Sequence, residues 1–182
     1  MYRLISSAII LALSGCAIPS VDLSQSSDYS HIVGQCYELV MPTFVFEGRC
    51  ADLNGFNDNS ELCNSIQAQG LGDFPADWDS YLGDRSAIDK QLFDRLALEP
   101  QRSMLFPLQS GTKLYISRLV HHGWGVNGRY WVMRGEILHD GSKVELELPS
   151  FSLVHKQPFW LDGNDSAFPG IDSRFLVPCK QL

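Results

Sequence analysis

The histidines are the first side chains to weigh as metal ligands or catalytic bases. His121 and His122 are adjacent near the end of a predicted strand, and His139 and His155 lie further along the chain. Neighbouring strand residues point to opposite faces, so His121 and His122 could share a metal only where the chain bends, as Gly123 would allow. Neither HxxxH nor HExxH occurs. We therefore expect no metal site and no bound cofactor.

Other catalytic patterns are equally sparse. Ser110, Ser117 and Ser142 could serve as nucleophiles by type, but no GxSxG elbow surrounds them. GxxxxGK[ST] does not occur. Residues 123–128 match GxGxxG in spacing, but they connect two predicted strands and do not open a helix, so a nucleotide cofactor is not supported. The oxygen-rich segments 52–59 and 162–165 miss the EF-hand pattern and are typical of turns. The sequence therefore favours a protein that is not an enzyme, and a cell-wall hydrolase is kept as an alternative.

Aromatic residues give a better lead to a binding site. Trp124 lies between two glycines, where few sequence neighbours could cover its ring. Exposed rings can stack on sugars or hold a peptide, and Arg129 or Arg134 could pair with a ligand carboxylate. We predict a ligand-binding set of Trp124, Arg129, Tyr130 and Trp160, with a core position as the alternative for Trp160.

Composition limits the class of partner. The 182 residues carry a formal charge of −7, which argues against a nucleic-acid partner. The hydrophobic fraction of 45% is typical of a globular protein. Residues 51–100 hold ten acidic and three basic side chains. This stretch is either a surface for a cationic partner or a solvated helical face.

The first sixteen residues look like an export signal. Arg3 precedes an apolar run over 4–13, whose helix would rise about 15 Å, half the thickness of a bilayer core. The run ends in Leu13-Ser14-Gly15-Cys16, which resembles the lipobox of bacterial lipoproteins. The resemblance implies cleavage before Cys16 and acylation of its thiol. With Ala17 next in sequence, it also implies an outer-membrane anchor in a diderm bacterium. We expect the domain to face the periplasm, and the cell surface is the alternative.

The chain then divides into three parts. Residues 1–15 are the predicted signal peptide, and 16–30 are the lipidated cysteine with a Ser-rich, flexible tether. Packing of that tether on the domain is the alternative. Residues 31–182 form one predicted β-rich domain, with an acidic helical insertion at about 51–100.

The remaining cysteines predict two disulfides. Cys36, Cys50, Cys63 and Cys179 give an even number in an exported chain. Their wide spacing lacks the close pairs of a zinc site. We prefer Cys50–Cys63, which would close a polar loop, and Cys36–Cys179, which would join the first strand to the last; the other pairings stay open.

Periodicity predicts a mainly β fold with some helix. Alternation indicates strands over 34–40, 43–47, 112–121, 127–138, 143–148, 151–155 and 174–178. Asp140-Gly141 predicts a tight hairpin turn, and Gly135 suggests a bulge. Short helical turns are predicted at 59–68 and 75–82. A helix over 86–97 would be capped by Ser86 and stopped by Pro100.

Residues 108–148 are similar to an SH3-like barrel. The stretch Leu108 to Ile116 has a leucine, two further residues and a glycine before alternating apolar positions, and a DG hairpin follows. The resemblance implies a small antiparallel barrel with a helical insertion, used for binding. The predicted function is a non-enzymatic module for cell-wall fragments or another envelope protein. An inhibitor of a lysozyme-like cationic enzyme is a further alternative.

Overall fold

Strands dominate the chain. The computed structural model describes residues 20–49, 62–93, 103–123, 129–149, 160–162 and 170–180. The strands are β1 (Val21–Asp22), β2 (Cys36–Leu39), β3 (Thr43–Arg49), β4 (Leu62–Ala68), β5 (Met104–Leu108), β6 (Lys113–Gly123), β7 (Arg129–His139), β8 (Ser142–Pro149), β9 (Leu161–Asp162), β10 (Gly170–Ile171) and β11 (Leu176–Pro178). The helices are α1 (Trp78–Gly83) and α2 (Arg85–Phe93), and Ser27–Tyr29 form a 3₁₀ turn.

Nine of these strands form one curled sheet, and β9 pairs with β10 in a second. The order is β11-β2-β6-β7-β8-β4-β3-β5, with β1 added beside β6. Pairing among the described strands is antiparallel except between β4 and β8, which run parallel. The sheet closes about half of a barrel. The prediction of a mainly β fold with helices is confirmed.

The meander β6-β7-β8 is the part most directly encoded by local sequence. Asp140 and Gly141 have φ of 48° and 78°, the two positive angles that a tight hairpin turn needs. A Cβ at Gly135 would lie 2.8 Å from the carbonyl oxygen of Tyr115. Glycine is therefore required where β6 and β7 approach closely, and the register of β6 shifts between Ile116 and Arg118, opposite this position.

The inner face of the curled sheet buries the main core. Alternate residues of each strand point inward, as the period of two requires. The largest fully buried members include Trp131, Trp160, Leu114, Ile116, Leu119 and Met133. A second cluster lies where α1 and α2 pack against β3 and β5, and it contains Phe44, Phe46, Phe74, Tyr81, Leu92 and Met104.

The predicted helical segments need two corrections. Residues 62–68 form β4 and pair with β3 along their whole length. Leu62 and Ile66 resemble a helical repeat, but Ile66 and Ala68 are fully buried at alternate positions in the sheet core, and that long-range burial decides the conformation. The helix predicted from Ser86 begins at Arg85, so Ser86 lies inside it and does not cap it. The prediction of helix within 75–82 is met by α1.

Residues 20–30 pack on the domain, in contrast to the predicted tether. Val21 pairs with His121, and Tyr29 is buried with its ring centroid 5.6 Å from that of Trp131. A chain with ring contacts and strand pairing cannot be a free linker. The alternative of packing therefore holds for residues 20–30, whereas residues 1–19 lie outside the described part.

A disulfide joins Cys36 to Cys179, as predicted. It links β2 to the residue after β11, across a sequence separation of 143. Cys63 is also disulfide-bonded, and Cys50 lies outside the described residues, so their pairing stays a prediction. The strand predicted over 151–155 lies outside them too. Among the described helices, none has the length and apolar composition to cross a membrane.

Candidate functional site

An acidic cleft opens where β8 meets β4. These two strands run parallel and are bridged at Ser65 and Glu147. The cleft has a volume of about 230 Å³ and is lined by Glu47, Cys63, Asn64, Arg134, Glu145 and Glu147. Four strands, β3, β4, β7 and β8, therefore contribute to one small polar site.

Alternation along β8 explains why two carboxylates reach the same place. Leu146 and Leu148 are fully buried in the core, so Glu145 and Glu147 project from the opposite face of the strand. On β7, Arg134 lies directly across from Glu147 in register. The local sequence thus sets a guanidinium beside two carboxylates on the outer face of the sheet.

Arg134 contacts both glutamates. One of its terminal nitrogens lies 3.4 Å from Oε1 of Glu145, and the other lies 3.3 Å from Oε2 of Glu147. The Glu147 side chain is 4% exposed, whereas that of Glu145 is 60% exposed. The buried carboxylate is therefore held by the arginine, and the other carboxylate remains accessible to a ligand.

The opposite wall comes from β3 and β4. Glu47 lies across from Asn64 in register, and the amide Nδ2 of Asn64 donates to the backbone carbonyl of Glu145 at 3.3 Å. This bond spans the junction of β4 and β8 and holds the two walls together. Glu47 is partly exposed and contacts no cation in the described part of the chain.

The charge of the cleft defines the ligands that it suits. Among the described residues, its lining has three carboxylates and one guanidinium, which gives this lining a net negative formal charge near pH 7. A concave site with a net charge attracts groups of the opposite charge. Its volume lies below the roughly 300–1,000 Å³ typical of drug-sized ligands. The cleft therefore suits a single amine or guanidinium group that belongs to a larger molecule.

The predicted aromatic set is only partly placed. Trp160 is fully buried, with its ring centroid 5.6 Å from that of Phe175, so it is a core residue and presents no exposed ring to a ligand. Arg129 and Tyr130 begin β7, opposite Gly123 and His122. Trp124 lies outside the described residues, and its role stays a prediction. Trp160 does not line the acidic cleft.

His121 and His139 stack on aromatic rings at opposite ends of the meander. The rings of His121 and Trp131 stack with centroids 4.2 Å apart, and those of His139 and Phe106 stack at 3.8 Å. The Phe106 contact joins edge strand β5 to the end of β7. Within the residues that the structure describes, no cluster of histidine, cysteine or carboxylate side chains could hold a metal ion.

Sequence reasoning missed Glu47, Asn64, Glu145 and Glu147 as site residues. The alternation of residue types along β8 does place Glu145 and Glu147 on the face opposite the core. No local pattern shows that β4 will run parallel to β8 and bring Glu47 and Asn64 beside them. Arg134, suggested as a partner for a ligand carboxylate, is instead paired with carboxylates of its own chain.

Comparisons with protein-family models, with curated proteins and with solved structures found no match. The geometry of the cleft and the sequence are therefore the basis for a functional proposal.

Proposed function

We propose that this chain is a lipoprotein of the bacterial envelope whose β domain binds an amine-bearing fragment of the cell wall without transforming it. Acylation at Cys16 would anchor it to the outer membrane, on the periplasmic side. The acidic cleft between β4 and β8 is the observation that carries the binding part of the proposal. Peptide stems of bacterial cell walls carry free amino groups, which are cationic at neutral pH.

The chemistry of the lining favours binding over catalysis. Among the residues that the structure describes, neither serine nor histidine lines the cleft. Cys63 is disulfide-bonded, so its sulfur is no free thiol nucleophile. Carboxylates accept charge-assisted hydrogen bonds from ammonium groups, which are about twice as strong as neutral ones. Glu145 and Glu47 are the accessible acceptors. The resemblance of residues 108–148 to SH3-like barrels, many of which bind peptides, supports the same conclusion.

Cosedimentation with purified sacculi tests this function. The chain, kept soluble in mild detergent, should pellet with sacculi and release no fragments into the supernatant. Glu145→Gln removes one accessible charge and should weaken pelleting by about tenfold, which corresponds to roughly 1.4 kcal/mol. Added salt should weaken pelleting further, because the interaction is ionic.

Glu136→Gln is the matched control for Glu145→Gln. Glu136 lies directly across from Glu145 in register and pairs with Lys143 at 3.0 Å, but it does not line the cleft. Pelleting of this variant should equal that of the wild type. Equal losses in both variants would contradict the cleft as the site, and release of fragments would support the hydrolase alternative.

A second candidate function rests on a different surface. Asp77, Asp79 and Asp84 are exposed on and beside α1, and Asp77 caps the helix by accepting from the backbone N–H of Ser80 at 2.7 Å. This acidic group suits an inhibitor of a lysozyme-like cationic enzyme. An Asp79→Asn/Asp84→Asn variant would then lose binding to such an enzyme, while Glu145→Gln would retain it.

A further inference from the structure

The outer face of the meander beside the acidic cleft is open to solvent. Leu114, Ile116 and Ile137 are buried in the core, so the residues that alternate with them point outward. Tyr115 is 54% exposed and Leu138 is 71% exposed. We call these outward positions the open face, and its members are Lys113, Tyr115, Glu136, Leu138 and Lys143.

Strand register connects the open face to the cleft. Glu145 lines the cleft and lies across from Glu136, which in turn lies across from Tyr115. Because neighbouring strands are about 4.8 Å apart, the backbones at Tyr115 and Glu145 are about 10 Å apart. A ligand with one end in the cleft would therefore pass over Glu136 and reach the ring of Tyr115.

Two lysines flank Leu138 on this face. Lys143 lies across from Leu138, and its Nζ is 3.0 Å from a carboxylate oxygen of Glu136. Because β6 and β7 are antiparallel, Lys113, two residues before Tyr115, lies on the other side of Leu138. The most exposed apolar side chain of the open face is thus set between two cations, one of which is paired within the chain.

Lys113 is the cation available to a ligand. It is exposed, and no carboxylate in the described part of the chain contacts it. Glu38 lies across from Lys113 in register, but the two side chains form no ion pair. The ammonium group of Lys113 can therefore donate to the carboxylate of a bound molecule.

The acidic and basic ends of this surface have a defined separation. Lys113 lies two residues beyond Tyr115, or about 7 Å along β6. Combined with the distance across the sheet, this places the backbone of Lys113 about 12 Å from that of Glu145. Three or four residues of extended peptide span about the same distance.

We propose that the cleft and the open face together bind a short peptide that carries both a free amino group and a free carboxylate. The amino group enters the cleft beside Glu145, and the carboxylate pairs with Lys113. The residues between them cover Tyr115 and Leu138. This inference rests on the proposed binding of an amine in the cleft and adds the second charged group of the ligand. Opposite charges at the two ends set the direction of the peptide.

Calorimetric titration of the full chain, kept soluble in mild detergent at low ionic strength, tests the second contact. The reference probe is acetyl-lysyl-alanyl-alanine, which has one amino group and one carboxylate. A second probe has a C-terminal amide in place of the carboxylate, and a third has an acetylated side-chain amino group. We expect the amide to bind about fivefold more weakly than the reference, as expected for one exposed ion pair. The acetylated probe should show no measurable binding.

Lys113→Gln isolates the proposed carboxylate contact. This variant should bind the reference probe as weakly as the wild type binds the amide. Its affinity for the amide should be unchanged, which also shows that the variant is folded. Lys90→Gln is the matched control, because Lys90 is exposed on α2 and its loss changes the net charge equally. It should keep the fivefold preference of the wild type for the reference probe.

The outcomes separate this inference from the proposed function. Equal binding of the reference and the amide by the wild type would overturn the inference, as would a preference that survives Lys113→Gln. If acetylation of the amino group still abolished binding, the proposed function of the cleft would stand. Undiminished binding of the acetylated probe, or no binding of any probe, would contradict both proposals.

Discussion

Arg134 of β7 and Glu147 of β8 face each other in register, and their side chains meet on the outer face of the sheet. Two guanidinium nitrogens lie 3.3 and 3.4 Å from Oε2 of Glu147. The arginine is 20% exposed and the glutamate 4% exposed. A nearly buried carboxylate is therefore paired with a partly buried guanidinium, and both side chains line the acidic cleft.

Replacement of Glu147 by glutamine should destabilise the fold by about 2 kcal/mol, because it removes a buried negative charge that pairs with the partly buried Arg134. Replacement of Glu145, which is 60% exposed, should cost less than about 1 kcal/mol. Urea denaturation of the two variants measures this difference. Equal losses of stability would show that the buried pair does not support the sheet.

Gly135→Ala should lower the melting temperature. The added Cβ would lie 2.8 Å from the carbonyl oxygen of Tyr115 and 2.9 Å from Cδ1 of Leu114. We expect a cost of about 1–3 kcal/mol, typical of overpacking. Gly170→Ala is the control, since nothing lies within 4 Å of a Cβ built there. Similar melting temperatures for the two variants would argue against a tight approach of β6 and β7.

Loss of the Cys36–Cys179 disulfide should lower the free energy of unfolding. The bond closes a loop with a sequence separation of 143, and the entropy of loop closure then predicts an effect of about 4–5 kcal/mol. The Cys36→Ser/Cys179→Ser variant isolates this bond, because reduction would also break the bond at Cys63. A change below about 1 kcal/mol on urea denaturation would refute this stabilising role.

Asp172 should contribute to acid sensitivity. Hydrogen bonds from the Arg174 side chain hold the pKa of Asp172 below its usual value, and the Arg174 backbone N–H adds to this effect. The carboxylate therefore stabilises the fold above about pH 4, the unfolded pKa. That stabilisation is lost as the pH falls through the lowered folded pKa.

Asp172→Asn should accordingly lower stability at pH 7 and flatten the stability profile below about pH 4. Denaturation midpoints measured from pH 2 to 7 provide the readout. Asp28→Asn, at an exposed position of the 3₁₀ turn, is the control and should keep the wild-type profile. If the denaturation midpoint of Asp172→Asn fell with decreasing pH as steeply as that of the wild type, the Arg174 contact would have no role in acid unfolding.

Local sequence predicts the elements whose hydrogen-bond partners are close in the chain. The meander β6-β7-β8 follows from alternation and from the turn residues Asp140 and Gly141, because each strand pairs with the next. The sequence predicts helix at β4. This prediction is wrong because the conformation of β4 is set by its pairing with β3 and by a parallel contact with β8. The prediction of a flexible tether is wrong for residues 20–30 for the same reason, because β1 is ordered by its long-range pairing with β6.

The candidate site could likewise be predicted only in part from local sequence. Glu145 and Glu147 lie on the face of β8 opposite the core, as their spacing predicts, although Glu147 is covered there. Their meeting with Glu47 and Asn64 depends on strands that are about 80 to 100 positions apart in sequence. The composition predicts a negative net charge for the chain. The order of strands in the sheet is what brings the carboxylates together in one cleft.

Sacculi treated with acetic anhydride test the central claim most directly. Acetylation converts the free amino groups of the wall peptides to neutral amides and leaves the glycan strands in place. We expect the wild-type chain to pellet with untreated sacculi and to stay in the supernatant with acetylated ones. Equal pelleting with both preparations would contradict recognition of an amine by the acidic cleft.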